Sequence, residues 1–502
     1  MAAESAVGPG PGAGADPRRW LILAVICVAY LMITLDASVM TLALPSAQHA
    51  LGFSNAGRQW VVTAYTLSFG SLLLFCGRLA DLAGRKTTFL AGLAGFAVAS
   101  AVGGASVSFT MLITARACQG VFAALLAPSA LSLVSTTFTD TEERGKAFGV
   151  FGGVAASGAG LGLLIGGLLT SYLSWRWCLY VNLVFAAVSA AGGVLLLGRQ
   201  STTPGARLDV PGVVAASGGM FCLVYGFSNA ATHSWRTPST WVFLVAGVVL
   251  LIIFAAWQSR AAQPLLPPRV VLDRNRGGAY LTMFFLGAGI YGILLFLIYY
   301  MQLSLGYSAI ISGVALLPMV ALTGAGATAG NIKLMPRFGP KPLIAAGLLL
   351  NAAAVAWLTR IGVHSGYATS LLGPIMLAGL GMGFIYGGAA DTGTTGVGPR
   401  DAGVASASIN TGQQVGGSVG TALLNTIAAG ATTTYLAGHL NIRPAAHLAQ
   451  LAAIHSYTTV FWWCAAIFAG GAIICGALLR PGPLTTPATT PEPARQTTPA
   501  QP

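Results

Sequence analysis

The sequence predicts an all-α membrane protein with fourteen transmembrane helices. Of its 502 residues, 55% are hydrophobic and only 7% are charged, a composition too apolar for a protein dissolved in water. Apolar stretches of about 20 residues recur along the chain, and this is the length that a helix needs to cross a hydrocarbon core. These stretches lack the alternation of a β-barrel, and only helices and closed barrels satisfy every backbone group in lipid.

The predicted spans follow one another from the first tail to the last. They begin near residues 20, 59, 88, 111, 146, 175, 210, 239, 277, 308, 342, 368, 403 and 459. Residues 1–19 are rich in Gly, Pro and Ala, and residues 481–502 are rich in Thr and Pro. We predict that both segments are disordered tails and that the first is not a cleaved signal peptide. An even number of spans places both tails on the same side of the membrane.

The basic residues predict that both tails are cytoplasmic. In that orientation 19 of the 25 Lys and Arg residues fall in inner segments, five fall in outer segments and Arg116 falls within a span. This is the bias expected of cytoplasmic loops, and it continues in the loops at 260–276 and 333–341. The same bias explains the net charge of +13, so we expect no nucleic-acid partner.

Two similar loops indicate an internal duplication. GRLADLAGRK, which begins at Gly77, follows the second span, and IKLMPRFGPK, which begins at Ile332, follows the tenth. The loops match at Leu79 and Leu334, at Gly84 and Gly339, and at Lys86 and Lys341. Many transporters consist of duplicated bundles. We therefore predict an N-terminal six-helix bundle over 20–198, two inserted helices over 199–260, a cytoplasmic linker over 261–276 and a C-terminal six-helix bundle over 277–480.

The first of these loops resembles the signature loop of the major facilitator superfamily, and three further segments resemble motifs of its 14-span drug:proton antiporter branch. These are LDASVMTLALP from Leu35, RACQGVFAALLAPS from Arg116 and GLGLLIGGLLTSYLSWRW from Gly160. The chain is especially similar to actinobacterial antibiotic-resistance exporters. The resemblance implies the major facilitator fold and proton-coupled efflux of antibiotics or other amphipathic drugs across the cell membrane by alternating access.

The sequence departs from the branch at two positions. Leu163 stands where the fifth-span motif has proline, which leaves the kink of that helix open, and Thr41 stands where the first-span motif usually has asparagine. The missing proline keeps an alternative function in view, the proton-coupled uptake or facilitated transport of a small organic nutrient.

Asp36 and Arg116 are charged residues that lie well inside predicted spans, both in the outer half. An isolated charge there costs at least about 2.5 kcal/mol, so we expect the two side chains to pair or to share water. Burial favours the protonated carboxyl, whereas Arg116 favours the carboxylate. We therefore interpret Asp36 as the proton carrier and Arg116 as its partner, which the resemblance also implies; a static ion pair is the alternative. Asp391, near the inner end of the twelfth span, is expected to be solvated.

The residues of a gate are predicted at the inner surface and in the fifth span. In the first loop they are Gly77, Asp81, Gly84, Arg85 and Lys86; in the fifth span they are Gly162, Gly166 and Gly167. We expect Asp81 to cap the third helix or to meet Arg85 and the end of a partner helix. Small residues allow helices to slide in close contact, and ordinary tight packing is the alternative.

A substrate cavity is predicted from aromatic and amide side chains within the spans. The predicted set is Tyr30, Tyr65, Gln119, Tyr291, Asn410, Gln413 and Gln414, which suits amphipathic ring systems. We expect a monomer in the lipid bilayer whose ligands are a small-molecule drug or antibiotic and protons. We expect no enzymatic activity, cofactor or metal. His439, His447 and His455 are expected in the last outer loop.

Overall fold

The computed structural model describes residues 17–53, 55–138, 140–198, 208–232, 235–261, 264–363, 365–398, 401–439 and 445–483. Most of each predicted tail therefore lies outside the described residues, as does the start of the segment predicted over 199–260. All regular structure within the described residues is helical.

Fourteen long helices, α1 to α14, follow one another along the described chain. Their bounds are Arg19–Leu51, Asn55–Ala83, Arg85–Gly104, Phe109–Thr137, Thr141–Tyr172, Trp177–Leu196, Val210–Thr232, Pro238–Gln258, Arg274–Tyr299, Ile310–Phe338, Pro340–Leu358, Leu372–Thr394, Ala402–Gly438 and Ala445–Leu478. A short helix, Pro268–Val271, precedes α9. One turn of π-helix follows α9, a second lies within α10 and a third precedes α12.

Thirteen of these helices contain a segment long and apolar enough to cross a membrane, counted over the described residues. The fourteenth is α13, which has 37 residues and includes the amide side chains of Asn410, Gln413 and Gln414. The predicted all-α fold with fourteen spans is confirmed. The predicted starts differ by up to five residues for α1 to α13.

The start of α14 was predicted wrongly. This helix begins at Ala445 and not near residue 459. His447 and His455 therefore lie on α14 and not in a loop, and His439 immediately follows α13. The physical reason is that the segment from residue 445 is rich in Ala and Leu, which favour helix, although it is less apolar than the span that follows.

α1 to α6 and α9 to α14 form two bundles with the same pattern of neighbours. α1 packs on α5 and α6, as α9 packs on α13 and α14; α4 packs on α2 and α3, as α12 packs on α10 and α11. Gly84 precedes α3 with φ 89°, and Gly339 precedes α11 with φ 81°. This backbone conformation favours glycine. The pairing of Gly84 with Gly339 in the two similar loops is therefore confirmed in the backbone.

The two inserted helices form a hairpin. α7 and α8 pack on each other, and α7 also packs on α2 and α13. Asp209 ties the start of α7 to the end of α8, because its carboxylate accepts hydrogen bonds from Gly212 N at 3.0 Å, Trp257 Nε1 at 2.8 Å and Gln258 Nε2 at 2.8 Å.

Both described ends of the chain lie at the same end of the molecule, which we call the tail side. Arg19, at the start of α1, forms an ion pair with Glu143 near the start of α5. Arg480, after α14, donates its backbone N–H to Asn275 Oδ1 at the start of α9, at 2.9 Å. The two bundles meet where α5 packs on α10 and α12, and where α2 and α4 pack on α13.

α5 is a continuous helix through Leu163, whose side chain lies outside the described part of the chain. With leucine in place of proline at position 163, α5 is unbroken.

Candidate functional site

Asp36 of α1 and Arg116 of α4 form a buried ion pair inside the first bundle. Arg116 NH1 donates to Asp36 Oδ2 at 2.6 Å, and the side chain of each residue is only 1% exposed. The pairing expected from the two charges is present. Breaking such a buried pair by removing one partner is strongly destabilising, because the other charge stays buried without compensation.

Two amide side chains complete the surroundings of the carboxylate. Asp36 Oδ1 accepts from Asn182 Nδ2 of α6 at 2.6 Å and from Gln119 Nε2 of α4 at 3.2 Å. Gln119 also accepts from Arg116 NH1 at 2.8 Å and donates to Ser100 Oγ of α3 at 2.7 Å. Hydrogen bonds donated to a carboxylate stabilise its charged form. Side chains of α4 and α6 thus contact Asp36 directly, and Ser100 of α3 supports Gln119.

Sequence reasoning missed Asn182 and placed Gln119 elsewhere. Asn182 is fully buried, and the only sequence signal for it is a lone amide within the apolar run WCLYVNLVF. Gln119 was predicted to contact the substrate, but it is fully buried in the Asp36 network and does not line the cavity described below. In this structure its side chain contacts Asp36 and Arg116.

Gly120 lets α4 approach α2 closely beside this network. A Cβ atom on Gly120 would lie 2.4 Å from Tyr65 O, which is closer than real Cβ atoms come. The close approach brings Arg116 over the ring of Tyr65, with the guanidinium carbon 4.4 Å from the ring centroid. This is a cation–π contact.

A cavity of about 120 Å³ lies between the two bundles. Six of the seven residues predicted for the substrate line it: Tyr30, Tyr65, Tyr291, Asn410, Gln413 and Gln414. The remaining lining residues are Ile33, Thr34, Ala37, Ser38, Phe69, Ala155, Ile290, Leu294, Met382 and Tyr386. Cavities for drug-sized ligands usually measure about 300–1,000 Å³, so this one must widen to hold such a molecule.

Hydrogen bonds already join several polar groups of the cavity. Tyr30 Oη donates to Asn410 Oδ1 at 2.9 Å, which links α1 of the first bundle to α13 of the second. Gln413 Nε2 donates to Tyr386 Oη at 2.6 Å, within the second bundle. A ligand that enters between the bundles would replace these hydrogen bonds with hydrogen bonds to its own polar groups.

Asp81 connects the bundles at the tail side. Its Oδ1 accepts from Gly403 N, at the start of α13, at 2.9 Å, and from Arg85 NH2 at 3.4 Å. The positive end of the α13 dipole favours this carboxylate. The alternative expectation, that Asp81 caps α3, was wrong: Gly84 is the N-cap residue of α3 and has no side chain to accept a hydrogen bond.

Two other residues of the predicted gate differ in what they contact. Gly77 faces the second bundle, because a Cβ atom there would lie 2.7 Å from Gly403 O. Lys86 instead donates to Leu197 O and, at 3.1 Å, to Val194 O at the end of α6. Lys86 therefore stabilises a helix end within its own bundle.

A second tail-side contact between the bundles was not expected. Arg144 of α5 donates from Nε to Asp391 Oδ1 of α12 at 2.8 Å and from NH2 to Thr394 Oγ1 at 2.7 Å. Asp391 was expected to be solvated, but only 8% of the residue is exposed. The expectation was wrong because a position at the end of a span does not show whether a helix of the other bundle covers it.

The glycines of α5 divide into two groups. Gly162 and Gly166 face α1 of the same bundle, where their Cβ atoms would lie 2.8 Å from Leu35 O and 3.0 Å from Val39 Cα. Gly167 is also buried. Gly162 and Gly166 therefore allow close packing within the first bundle and do not lie at the contact between bundles.

The glycines at the contact with the second bundle lie nearer the tail side. A Cβ atom on Gly152 would lie 3.1 Å from Gly387 N of α12, and one on Gly153 would lie 2.9 Å from Gly324 Cα of α10. These residues allow the backbones of the two bundles to touch.

The sequence profile of a family described as Major Facilitator Superfamily matches residues 26–421. Among similar proteins, a puromycin resistance protein of Streptomyces alboniger is 46% identical over 478 residues, which cover 95% of this chain and 92% of that protein. A cephamycin export protein of Amycolatopsis lactamdurans is 39% identical over 82% of this chain and 85% of its own length. A tetracenomycin C resistance and export protein of Streptomyces glaucescens is 34% identical over 85% of this chain and 79% of its own length.

Two solved structures show the same fold at low sequence identity. The proton:xylose symporter XylE is 13% identical with a TM-score of 0.63, covering 93% of this chain and 97% of that structure. The human organic anion transporter MFSD10 is 15% identical with a TM-score of 0.62, covering 92% of this chain and 100% of that structure.

Proposed function

Because this chain belongs to the Major Facilitator Superfamily, we propose that it exports antibiotics or other amphipathic drugs in exchange for protons. The observation that best supports this proposal is the buried Asp36–Arg116 ion pair, which lies beside a cavity lined by both bundles. Secondary transporters bind substrate between two repeats and move the repeats around it. Ionisable residues inside membrane segments typically mark their proton pathways.

The proposed substrate class rests on the relatives and on the cavity. Relatives at 34–46% identity are named for resistance to, or export of, puromycin, cephamycin and tetracenomycin C. Tyrosine rings and amide groups line the cavity, and such surfaces suit molecules that have both apolar rings and polar groups. Uptake or facilitated transport of an organic nutrient is the alternative, and the named relatives favour export over it.

Asp36 is the proposed proton carrier. Its charged form is stabilised by Arg116, Gln119 and Asn182. Protonation removes the charge that compensates Arg116 and leaves a buried cation without its partner, which is costly. That cost favours a different arrangement of the helices, so proton binding and conformation are linked. The alternative, a static structural ion pair, predicts no effect of proton binding on transport.

The tail side is proposed to be cytoplasmic, with both chain ends there, because most Lys and Arg residues fall on that side. Asp81 with Gly403 and Arg144 with Asp391 then close the cytoplasmic side in this state. Gly77, Gly84 and Arg85 support the first of these contacts. Gly162, Gly166 and Gly167 are proposed to let α1 and α5 slide on each other. The protein is proposed to work as a monomer in the bilayer.

Expression in a bacterial host that lacks its own drug exporters tests this function. We expect cells that produce the protein to accumulate less puromycin, cephamycin C or tetracenomycin C, and an uncoupler to restore accumulation. Cells producing Asp36→Asn at the same membrane level are the matched control and should accumulate drug like the empty host. Increased entry of sugars or amino acids, with drug accumulation unchanged, would support the nutrient alternative instead.

A further inference from the structure

Tyr65 lies between the cavity and the buried ion pair. Its side chain lines the cavity, and its ring also lies 4.4 Å from the guanidinium carbon of Arg116. The ring stacks on Phe69, another lining residue, with 5.8 Å between the ring centroids. Tyr65 therefore contacts the substrate space and the partner of Asp36 at the same time.

The ring of Tyr65 is held differently from two other tyrosines of the cavity. Tyr30 and Tyr386 are each held by a hydrogen bond from or to the phenolic oxygen. The hydroxyl of Tyr65 is buried and has no hydrogen-bond partner among the described residues. Its position depends on ring packing and on the cation–π contact, so the ring moves without breaking a hydrogen bond.

The guanidinium of Arg116 depends on this ring for its position. Its NH1 donates hydrogen bonds to both Asp36 and Gln119, whereas its Nε is buried and has no hydrogen-bond partner among the described residues. In the part of the chain that the structure describes, NH1 makes the hydrogen bonds of this group, and the ring face lies beside it. A shift of the ring changes how firmly the guanidinium rests on the carboxylate.

We propose that Tyr65 is the positioning residue that couples occupancy of the cavity to protonation of Asp36. This inference rests on the proposed function. A ligand in the cavity presses the ring against Arg116, which keeps the guanidinium on Asp36 and the carboxylate ionised. Protonation of Asp36 releases the guanidinium and allows the ring to move into the cavity. Drug and proton then exclude each other, as antiport requires, and the coupling is reciprocal.

Within the described residues, charged or titratable groups reach Asp36 from three helices. These groups are Arg116 of α4, Tyr65 of α2 and Cys178 of α6. α5 faces this part of α1 with Gly162 and Gly166, which have no side chain to titrate. Arg116 and Cys178 do not line the cavity. Of the three groups, Tyr65 is therefore the one that a ligand reaches directly.

Infrared titration of the purified, drug-free protein in lipid vesicles tests the proposal. The band of a protonated carboxyl that is absent in Asp36→Asn belongs to Asp36. In Tyr65→Leu we expect the midpoint pH of this band to rise by at least about 0.5 unit, because the lost cation–π contact no longer holds Arg116 on the carboxylate. Tyr65→Met is measured in parallel, so the result does not depend on the folding of one variant.

Two control variants separate this role from simple packing. Tyr65→Phe keeps the ring over Arg116 and should leave the midpoint unchanged. Tyr386→Leu removes a tyrosine of the cavity that lies on the other bundle, and should also leave it unchanged. An unshifted midpoint in both Tyr65→Leu and Tyr65→Met would overturn the proposal while leaving Asp36 as a proton carrier. Absence of any Asp36-dependent band across the accessible pH range would overturn the proton-carrier proposal as well.

Discussion

At the scale of single residues, Asp36 carries a charge that is costly to bury among apolar helices unless other groups compensate it. Arg116 compensates the charge, and Asn182 and Gln119 donate hydrogen bonds to the carboxylate oxygen that Arg116 NH1 does not contact. A hydrogen bond to a charged group contributes about 1.5–3 kcal/mol. The amides therefore stabilise the carboxylate, although neither of them carries a charge.

Asn182→Leu tests this role of the amides. Loss of this donor removes a hydrogen bond that stabilises the carboxylate of the proposed proton carrier. We expect the pH profile of drug–proton exchange in membrane vesicles to move towards alkaline pH by about one unit or more. Ser189→Ala is the matched control, since Ser189 is buried on the same helix and does not contact Asp36. An unchanged profile in Asn182→Leu would contradict the role.

Asp209 is a second carboxylate with several donors, and it lies outside the spans. Partial burial would raise the pKa of Asp209, but the hydrogen bonds from Gly212, Gln258 and Trp257 outweigh burial and lower its pKa below the ordinary value of 3.8. Because the folded-state pKa is lowered, the stability that Asp209 contributes is present above pH 3.8 and is lost as the pH falls through the lowered pKa.

Asp209→Ala is expected to lower the free energy of unfolding of the α7–α8 hairpin by about 0.5–2 kcal/mol at neutral pH, the usual cost of losing an N-cap residue. Thermal unfolding followed by circular dichroism measures this change. Asp209→Asn keeps an acceptor for the helix and should unfold close to wild type at neutral pH. Equal unfolding temperatures for Asp209→Ala and wild type would show that the hairpin does not depend on this carboxylate.

The chemistry of single residues was more predictable than their contacts. Asp36 and Arg116 were identifiable because charges within apolar spans are rare, and the tyrosines and amides of the cavity because they interrupt apolar runs. Asn182 and the pairing of Asp391 were not identifiable. Their partners depend on which faces of two helices meet, and one helix sequence does not determine the rotation of its neighbour.

At the scale of helices, α5 packs both on the second bundle and on α1 of its own bundle. Nearer the tail side Gly152 and Gly153 touch α12 and α10 of the second bundle. Further along, Gly162 and Gly166 touch α1, while Gly160 faces Val320 of α10. α13 behaves similarly, because it packs on α2 of the first bundle and, through Gly412 and Gly416, on α9. These two helices thus take part in contacts both between the bundles and within a bundle.

Gly153→Ala tests the contact between bundles. A Cβ atom on Gly153 would lie 2.9 Å from the backbone of Gly324, whereas one on Gly324 meets nothing within 4 Å. We expect Gly153→Ala to lose most of its drug export, since overpacking a tight contact costs about 1–3 kcal/mol. Gly324→Ala, on the opposite side of the same contact, should export normally. Export rates are compared at equal amounts of protein in the membrane. Normal export by Gly153→Ala would show that the contact tolerates separation.

The limits of helix prediction have physical reasons. A span is recognised by the length of its apolar run, and this criterion located α1 to α12. It placed the start of α14 too late, because this helix begins before its most apolar segment. α13 differs in another way. Its amide side chains line the cavity, and they lower the hydropathy of this helix. It was counted among the apolar stretches, and the charge asymmetry of the loops supported the number of spans, because that asymmetry depends on orientation and not on apolarity.

At the scale of the whole molecule, the repeat makes the two bundles similar, but the charged contacts that close the tail side differ. The contact of α2 with α13 is closed by Asp81 and a helix end, whereas the contact of α5 with α12 is closed by the Arg144–Asp391 ion pair. The repeat relates the contact of α2 with α13 to that of α10 with α5, and the contact of α5 with α12 to that of α13 with α4, so the two charged contacts lie at places that the repeat does not relate to each other. In the proposed transport cycle both contacts break when the tail side opens, so weakening either one favours the state open to that side.

Asp391→Asn is expected to increase the population open to the tail side about tenfold or more, because a hydrogen bond between charged groups is lost. Spin labels on the tail-side ends of α5 and α12 measure the change as a longer distance. Glu143→Gln is the matched control, because it removes an ion pair on the same side but within one bundle. Equal distance distributions in Asp391→Asn and wild type would show that the ion pair does not hold the bundles together.

The most direct test of proton-coupled export is the accumulation of labelled puromycin in everted membrane vesicles that have an acidic interior. Wild type should accumulate the drug against its gradient and lose it when an uncoupler is added. Asp36→Asn should still exchange drug across the membrane but should accumulate none against the gradient. Accumulation by Asp36→Asn at the wild-type rate would contradict the assignment of Asp36 as the proton carrier.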